Sequence, residues 1–160
     1  MPASMIYQFF FLHVANLEQV AQTEHQKGNE KRAGRWRTYD QRAAGLNATE
    51  GRLVKQLALD CNKELKDQSQ KLQTLVNDFH AQHPNGEFAK LPVPQEVVDM
   101  TEQGPRTIDS YIDRLRLELG EEPFKKLDSY VRTSFRPVSV QIPSQLFASS
   151  PVAAQGDNRQ

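Results

Sequence analysis

The stretch that most limits what this chain can fold into runs from Asn47 to Gln82. After Gly51 it contains neither glycine nor proline for the rest of its length. Its apolar and near-apolar positions, Val54, Leu57, Cys61, Leu65, Gln68, Leu72, Leu75 and Phe79, recur at steps of three and four, which lines one face of an α-helix. Asn47 is a good N-cap, and Glu50 three residues later completes a capping-box arrangement with Asn in place of Ser or Thr. The spacing predicts one helix of about 34 residues, roughly 50 Å long at 1.5 Å per residue. A helix of that length needs a long partner to cover its seam, so the fold class is all-α: an elongated helical hairpin or bundle.

The remaining segments fit that plan and bring the total to four or five helices. From Ser4, a plausible N-cap, to Gln26, the positions Ile6, Phe10, His13, Leu17 and Val20 share a face, and Gly28 suits the C′ stop. Residues 30–44 are polar apart from Trp36, Tyr39 and the Ala43-Ala44 pair and predict a shorter helix or a partly ordered connection. His83-Pro84-Asn85-Gly86 is a turn, and Leu91-Pro92-Val93-Pro94 an extended return. A fourth segment, 95–119, carries Val97, Ile108, Tyr111 and Leu115 on one face; Gly104-Pro105 in its middle predicts a kink or break at 102–105. Gly120 separates it from a last helix with Phe124, Leu127, Val131 and Phe135 on its stripe. Residues 1–136 form the helical domain. Residues 137–160, rich in Ser, Gln, Pro and Ala, read as a flexible tail in which Val138, Val140, Ile142, Leu146 and Phe147 offer a way to dock on the bundle.

Twenty Lys and Arg balance twenty Asp and Glu over 160 residues, so the formal net charge is zero. That argues against bulk adhesion to nucleic acid or to an anionic membrane. The balance is uneven along the chain. Residues 27–55 carry eight bases against three acids, a surplus of +5, and residues 95–135 carry six bases against nine acids, or −3. Mixed-sign helical surfaces are the usual solubility device, which predicts that the two blocks face each other or solvate opposite surfaces. The longest apolar run, Met5 to Val14, is too short to span a bilayer and lacks the flanks of a signal peptide. As it stands the sequence reads as cytoplasmic; a signal peptide upstream of Met1 would make the protein periplasmic or secreted.

Little in the sequence points to catalysis. No phosphate-binding glycine loop, nucleophile elbow, zinc helix or paired His and carboxylate set occurs, so no enzyme, cofactor, metal site or small-molecule substrate is expected. The single cysteine excludes an internal disulfide; Cys61 lies on the helical seam, where a buried thiol is the ordinary outcome. His80 and His83 have the i, i+3 spacing of two metal ligands, and equally sit where imidazoles cap a helix C-terminus. Two groups suit a partner surface. Phe9, Phe10 and Phe11 offer more apolar area than one helix face hides, which suits core entry from two sides, a dimer interface or a client surface. Arg35, Trp36, Arg37, Tyr39 and Arg42 interleave bases with aromatics, as phosphate-neutralising, base-stacking surfaces do.

Two stretches carry a resemblance. Tyr7 to Leu17 (Tyr-Gln-Phe-Phe-Phe-Leu-His-Val-Ala-Asn-Leu) and Leu115 to Arg132 with its core Leu119-Gly120-Glu121-Glu122-Pro123-Phe124 resemble a family of uncharacterised, predicted-helical, often secreted bacterial proteins over residues 5–135. More distantly, the hairpin plan is similar to the Spy/CpxP group of periplasmic chaperones and stress or metal sensors, which repeats a Leu-Thr-x-x-Gln motif. The nearest matches are Leu46-Asn47-Ala48-Thr49-Glu50 and Leu119-Gly120-Glu121-Glu122-Pro123, each departing at the Thr and Gln positions, so no functional residue is carried over. The resemblance implies architecture only; the phenylalanine cluster and the long amphipathic seams point to a non-enzymatic helical interaction protein, chaperone-like or stress-related, that binds a protein partner or itself. A nucleic-acid-binding module built on residues 35–42 and a metal-responsive sensor built on His80 and His83 are the alternatives.

Overall fold

The computed structural model describes residues 1–86 and 91–136. Among them are six helices and no strand: α1 (Ala3–Gln26), α2 (Glu30–Arg37), α3 (Tyr39–Ala43), α4 (Ala48–Gln82), α5 (Gln95–Leu119) and α6 (Glu121–Ser134). The protein is all-α. The expected tail at 137–160 lies outside the described residues.

The long helix starts where its capping residues place it. The Asn47 Oδ1 accepts the Glu50 N–H at 2.8 Å, and the Glu50 carboxylate accepts the Asn47 N–H at 2.9 Å. Three expectations change. At α1 the N-cap is Pro2, not Ser4; the extended Pro2 backbone presents its carbonyl to the Met5 N–H, and no side chain caps the end. The segment at 30–44, expected as a shorter helix or a partly ordered connection, forms two helices that split at Thr38, whose backbone leaves helical values (φ −108°, ψ 7°). Of the kink or break expected at 102–105, the break is absent, since α5 stays helical through Gly104 and Pro105. Pro105 lies on the solvent side, where a backbone carbonyl left without its donor can be hydrated. Gly104 faces the other way, toward Leu65 of α4.

α4 and α5 run side by side, with the Tyr111 hydroxyl on Glu64 (3.0 Å) and the Gln68 amide on the Thr107 hydroxyl (2.8 Å). α1 lies against both, and α6 folds back against α1 and α5. The shared core holds Tyr7, Phe10, Phe11, Leu57, Cys61, Leu115, Leu127 and Val131, all essentially inaccessible. Burial along the α4 seam is graded. Val54, Leu57, Ala58 and Cys61 are buried, whereas Leu65, Leu72, Leu75 and Phe79 are half-buried. A seam residue is covered only as far as enough helices reach it.

Candidate functional site

The turn after α1 folds α2 back onto α1. Gly28 takes φ 81° there, a left-handed value that a side chain disfavours. The contact that results is made of small residues: Ala21 of α1 and Ala33 of α2 are both fully buried, so the two backbones approach closely. Close approach turns the larger side chains of α2 outward.

α3 is then fastened from three sides. The Asp40 Oδ1 lies 3.1 Å from the His13 Nε2 of α1 and accepts the Tyr130 hydroxyl of α6 at 2.7 Å. On the third side, Gln41 lies over Gly51 in the first turn of α4, where a Cβ would fall 2.6 Å from the Gln41 Cγ. Burial and the Asp40 bond push the Tyr130 hydroxyl well above its ordinary value, so it stays a donor. Arg42 supports the end of α2: its Nη2 donates to the Arg35 carbonyl (3.1 Å) and its Nε to the Thr38 carbonyl (3.3 Å), where a cation offsets the helix dipole.

These fastenings create a cleft of about 530 Å³ between α1 and the α2–α3 corner. Trp36 and Tyr39 form one wall, with ring centroids 6.3 Å apart and exposures of 38% and 45%. Val20 and Glu24 of α1 form the other. Arg32, Arg35 and Arg42 complete the lining, and none makes an ion pair with a carboxylate among the described residues. The one acid in the cleft, Glu24, accepts the Asn29 side-chain amide at 2.8 Å. The cleft is a concave aromatic surface with excess positive charge.

Four of the five residues expected to act together at 35–42 therefore do meet: Arg35, Trp36, Tyr39 and Arg42. Arg37 turns away, its Nε 3.7 Å from Glu18, which also pairs with Lys55 at 3.3 Å. The phenylalanine run divides differently from a partner surface of three. Phe10 and Phe11 are fully buried against Tyr7, Tyr130 and Phe135, and only Phe9 stays half-exposed, because successive residues turn 100° around α1.

Of the two arrangements expected for the charged blocks, pairing of one with the other is not the one seen. Between residues 95 and 135 the ion pairs are local: Arg106 with Glu102, Arg114 with Glu118, Arg116 with Asp113, Lys125 with Glu121 and Glu122, and Arg132 with Asp128. None reaches the basic block.

His83 bonds through Nδ1 to the Phe79 carbonyl at 3.0 Å and stacks on the Phe79 ring at 4.8 Å, the role of a helix-end cap. No cluster of three or more His, Cys, Asp or Glu suited to a metal occurs among the described residues. Cys61 is buried, and burial with the nearby Glu64 charge pushes its thiol up to about 12, far from a reactive thiolate. Among the described residues no helix is long and apolar enough to cross a membrane. The His13–Asp40–Tyr130 cluster had no sequence signal, since its members lie 27 and 90 positions apart. Set against protein-family models, curated proteins and solved structures, the chain matches none.

Proposed function

We propose that the protein is a non-enzymatic interaction module that binds an acidic segment of a partner protein in the cleft between α1 and the α2–α3 corner. The observation that carries this reading is the set of three arginines, Arg32, Arg35 and Arg42, without carboxylate partners among the described residues, around the exposed Trp36 and Tyr39 rings. Guanidinium groups recognise carboxylates through paired hydrogen bonds, and exposed aromatic rings supply contact area at low entropic cost. A protein partner suits this surface better than a nucleic acid. The chain as a whole is neutral, which disfavours a phosphate backbone as the main ligand.

Trp36 is the single tryptophan, so its fluorescence reports directly on the cleft. Titration with a Glu- and Leu-containing peptide lacking Trp and Tyr is expected to shift the Trp36 emission and saturate; a lysine-substituted peptide is expected to leave it unchanged. A single-stranded oligonucleotide that binds more tightly than the acidic peptide, with a steep salt slope, would replace this reading with the nucleic-acid one. No response to either refutes both.

A further inference from the structure

The outer face of α1 continues the cleft. Met5, Phe9, Leu12 and Val20 are 46%, 50%, 52% and 41% exposed. With Asn16 between Leu12 and Val20, their positions fall within an arc of about 80° at 100° per residue, opposite the buried Tyr7, Phe11 and Val14. From Met5 to Val20 the stripe is about 22 Å long. On one side it is bordered by amides rather than charges, since Gln8 and Gln19 are exposed there and α1 has only two acids. Of those, Glu18 is held by Lys55 and Arg37, and Glu24 lies in the cleft. The neutral stripe ends at Val20, which also lines the wall facing Arg32, Arg35, Trp36 and Tyr39.

Building on the cleft reading above, we infer that the partner segment docks as an amphipathic helix of about four turns lying along α1, with its apolar face on Met5, Phe9 and Leu12 and its acidic end in the arginine cleft. Each half of the surface specifies one property. Met5, Phe9 and Leu12, at i, i+4 and i+7, have the spacing of a helix face that lies against another helix. The three unpaired arginines at one end require acids at only one end of the ligand. A membrane surface fits less well, because interfacial helices carry lysine and arginine along their length, whereas this face is flanked on one side by neutral amides.

The test uses the full chain and an 18-residue helical probe with leucines at helical spacing and four glutamates confined to one terminal third, followed by Trp36 emission and by probe anisotropy. Binding in the micromolar range is expected. Moving the glutamates to the middle of the probe, or placing a proline at its centre, is expected to weaken binding at least tenfold. Leu12→Ser and Phe9→Ser, both at exposed positions, are expected to do the same while leaving the circular dichroism of the free protein unchanged. If both variants bind like the parent, or the proline probe binds like the helical one, helical docking is overturned, while binding of the acidic peptide keeps the cleft reading intact. If no acidic peptide shifts Trp36, both fall. A dimer of the chain alone that Leu12→Ser dissociates would assign the stripe to a second copy. Displacement of the probe by a peptide of residues 137–160 would assign it to the chain's own C-terminal segment, and tighter binding to anionic vesicles than to the probe would assign it to a membrane. Each of these overturns the proposal.

Discussion

The acidic and basic halves of this neutral chain meet their charge requirements in different ways. In α5 and α6 six of the nine acids pair locally with lysines and arginines three or four residues away. Tyrosine hydroxyls donate to acids on neighbouring helices: Tyr7 to Asp128 of α6 (2.9 Å), which also pairs with Arg132, Tyr111 to Glu64 of α4 (3.0 Å) and Tyr130 to Asp40 of α3 (2.7 Å). Around the α2–α3 corner the opposite holds. α2 has eight residues and α3 five, with one acid in the first turn of each, and Asp40 is already taken by Tyr130 and His13. Helices that short and that basic offer few i, i+4 acids to pair with, so Arg32, Arg35 and Arg42 keep their charge available. Local pairing depends on helix length and composition, and a net charge of zero does not report it.

The largest effect should come from the acids that serve tyrosines. Burial and the bonds to Asp128 and Asp40 raise the Tyr7 and Tyr130 hydroxyls well above their ordinary value near 10, and burial with the Glu64 bond pushes Tyr111 up to about 12. A group whose pKa is raised on folding contributes stability that is complete below its unfolded value and lost as pH rises through the folded one. Stability should therefore be flat up to about pH 10 and fall steeply from there toward pH 12. Urea melts across this range, with phenolate absorbance followed in parallel, check it; constant stability to pH 12 would break this side of the comparison.

Charge reversal comes next. Arg35→Glu is expected to weaken acidic-peptide binding about tenfold, or about 1.4 kcal/mol. Arg106→Glu, in the acidic half and paired with Glu102, should leave it unchanged. Equal losses in a binding titration would show that the two halves do not differ as described. Tyr130→Phe removes one donor from the half-buried Asp40 and should cost about 1–2 kcal/mol in stability. Because Asp40 fastens α3, the variant should also loosen the cleft, seen as a red shift of Trp36 emission. The smallest effect is Arg106→Ala, an exposed i, i+4 pair, expected to cost no more than about 0.5 kcal/mol by thermal melt.

Much of this arrangement was legible in the residues themselves. The capping box, the apolar seam of α4 and the stop at Gly120 follow from local propensity and helical period, which one chain segment specifies alone, whereas the burial of only the seam's first half depends on the neighbouring helices. The cluster at 35–42 was legible as a composition, yet Arg37 turned out to serve Glu18 because its direction depends on where α1 lies. Phe10 and Phe11 differ from Phe9 only by phase against the core. The Asp40 fastening and the Gly51–Gln41 contact join residues from different helices, so only the assembled fold brings them together. Pro105 marks where a local rule yielded, with the helix continuing on its solvent side.

The account rests on a positively charged cleft around an exposed tryptophan in a neutral protein, and collisional quenching of Trp36 tests that most directly. Iodide and caesium quenching constants would be measured at equal ionic strength, each normalised to free N-acetyltryptophanamide. Unpaired Arg32, Arg35 and Arg42 should concentrate the anion and exclude the cation, so the normalised iodide constant should exceed the caesium constant severalfold, and Arg35→Glu should bring the two together. Equal normalised constants in the parent protein, or a larger one for caesium, would contradict the account.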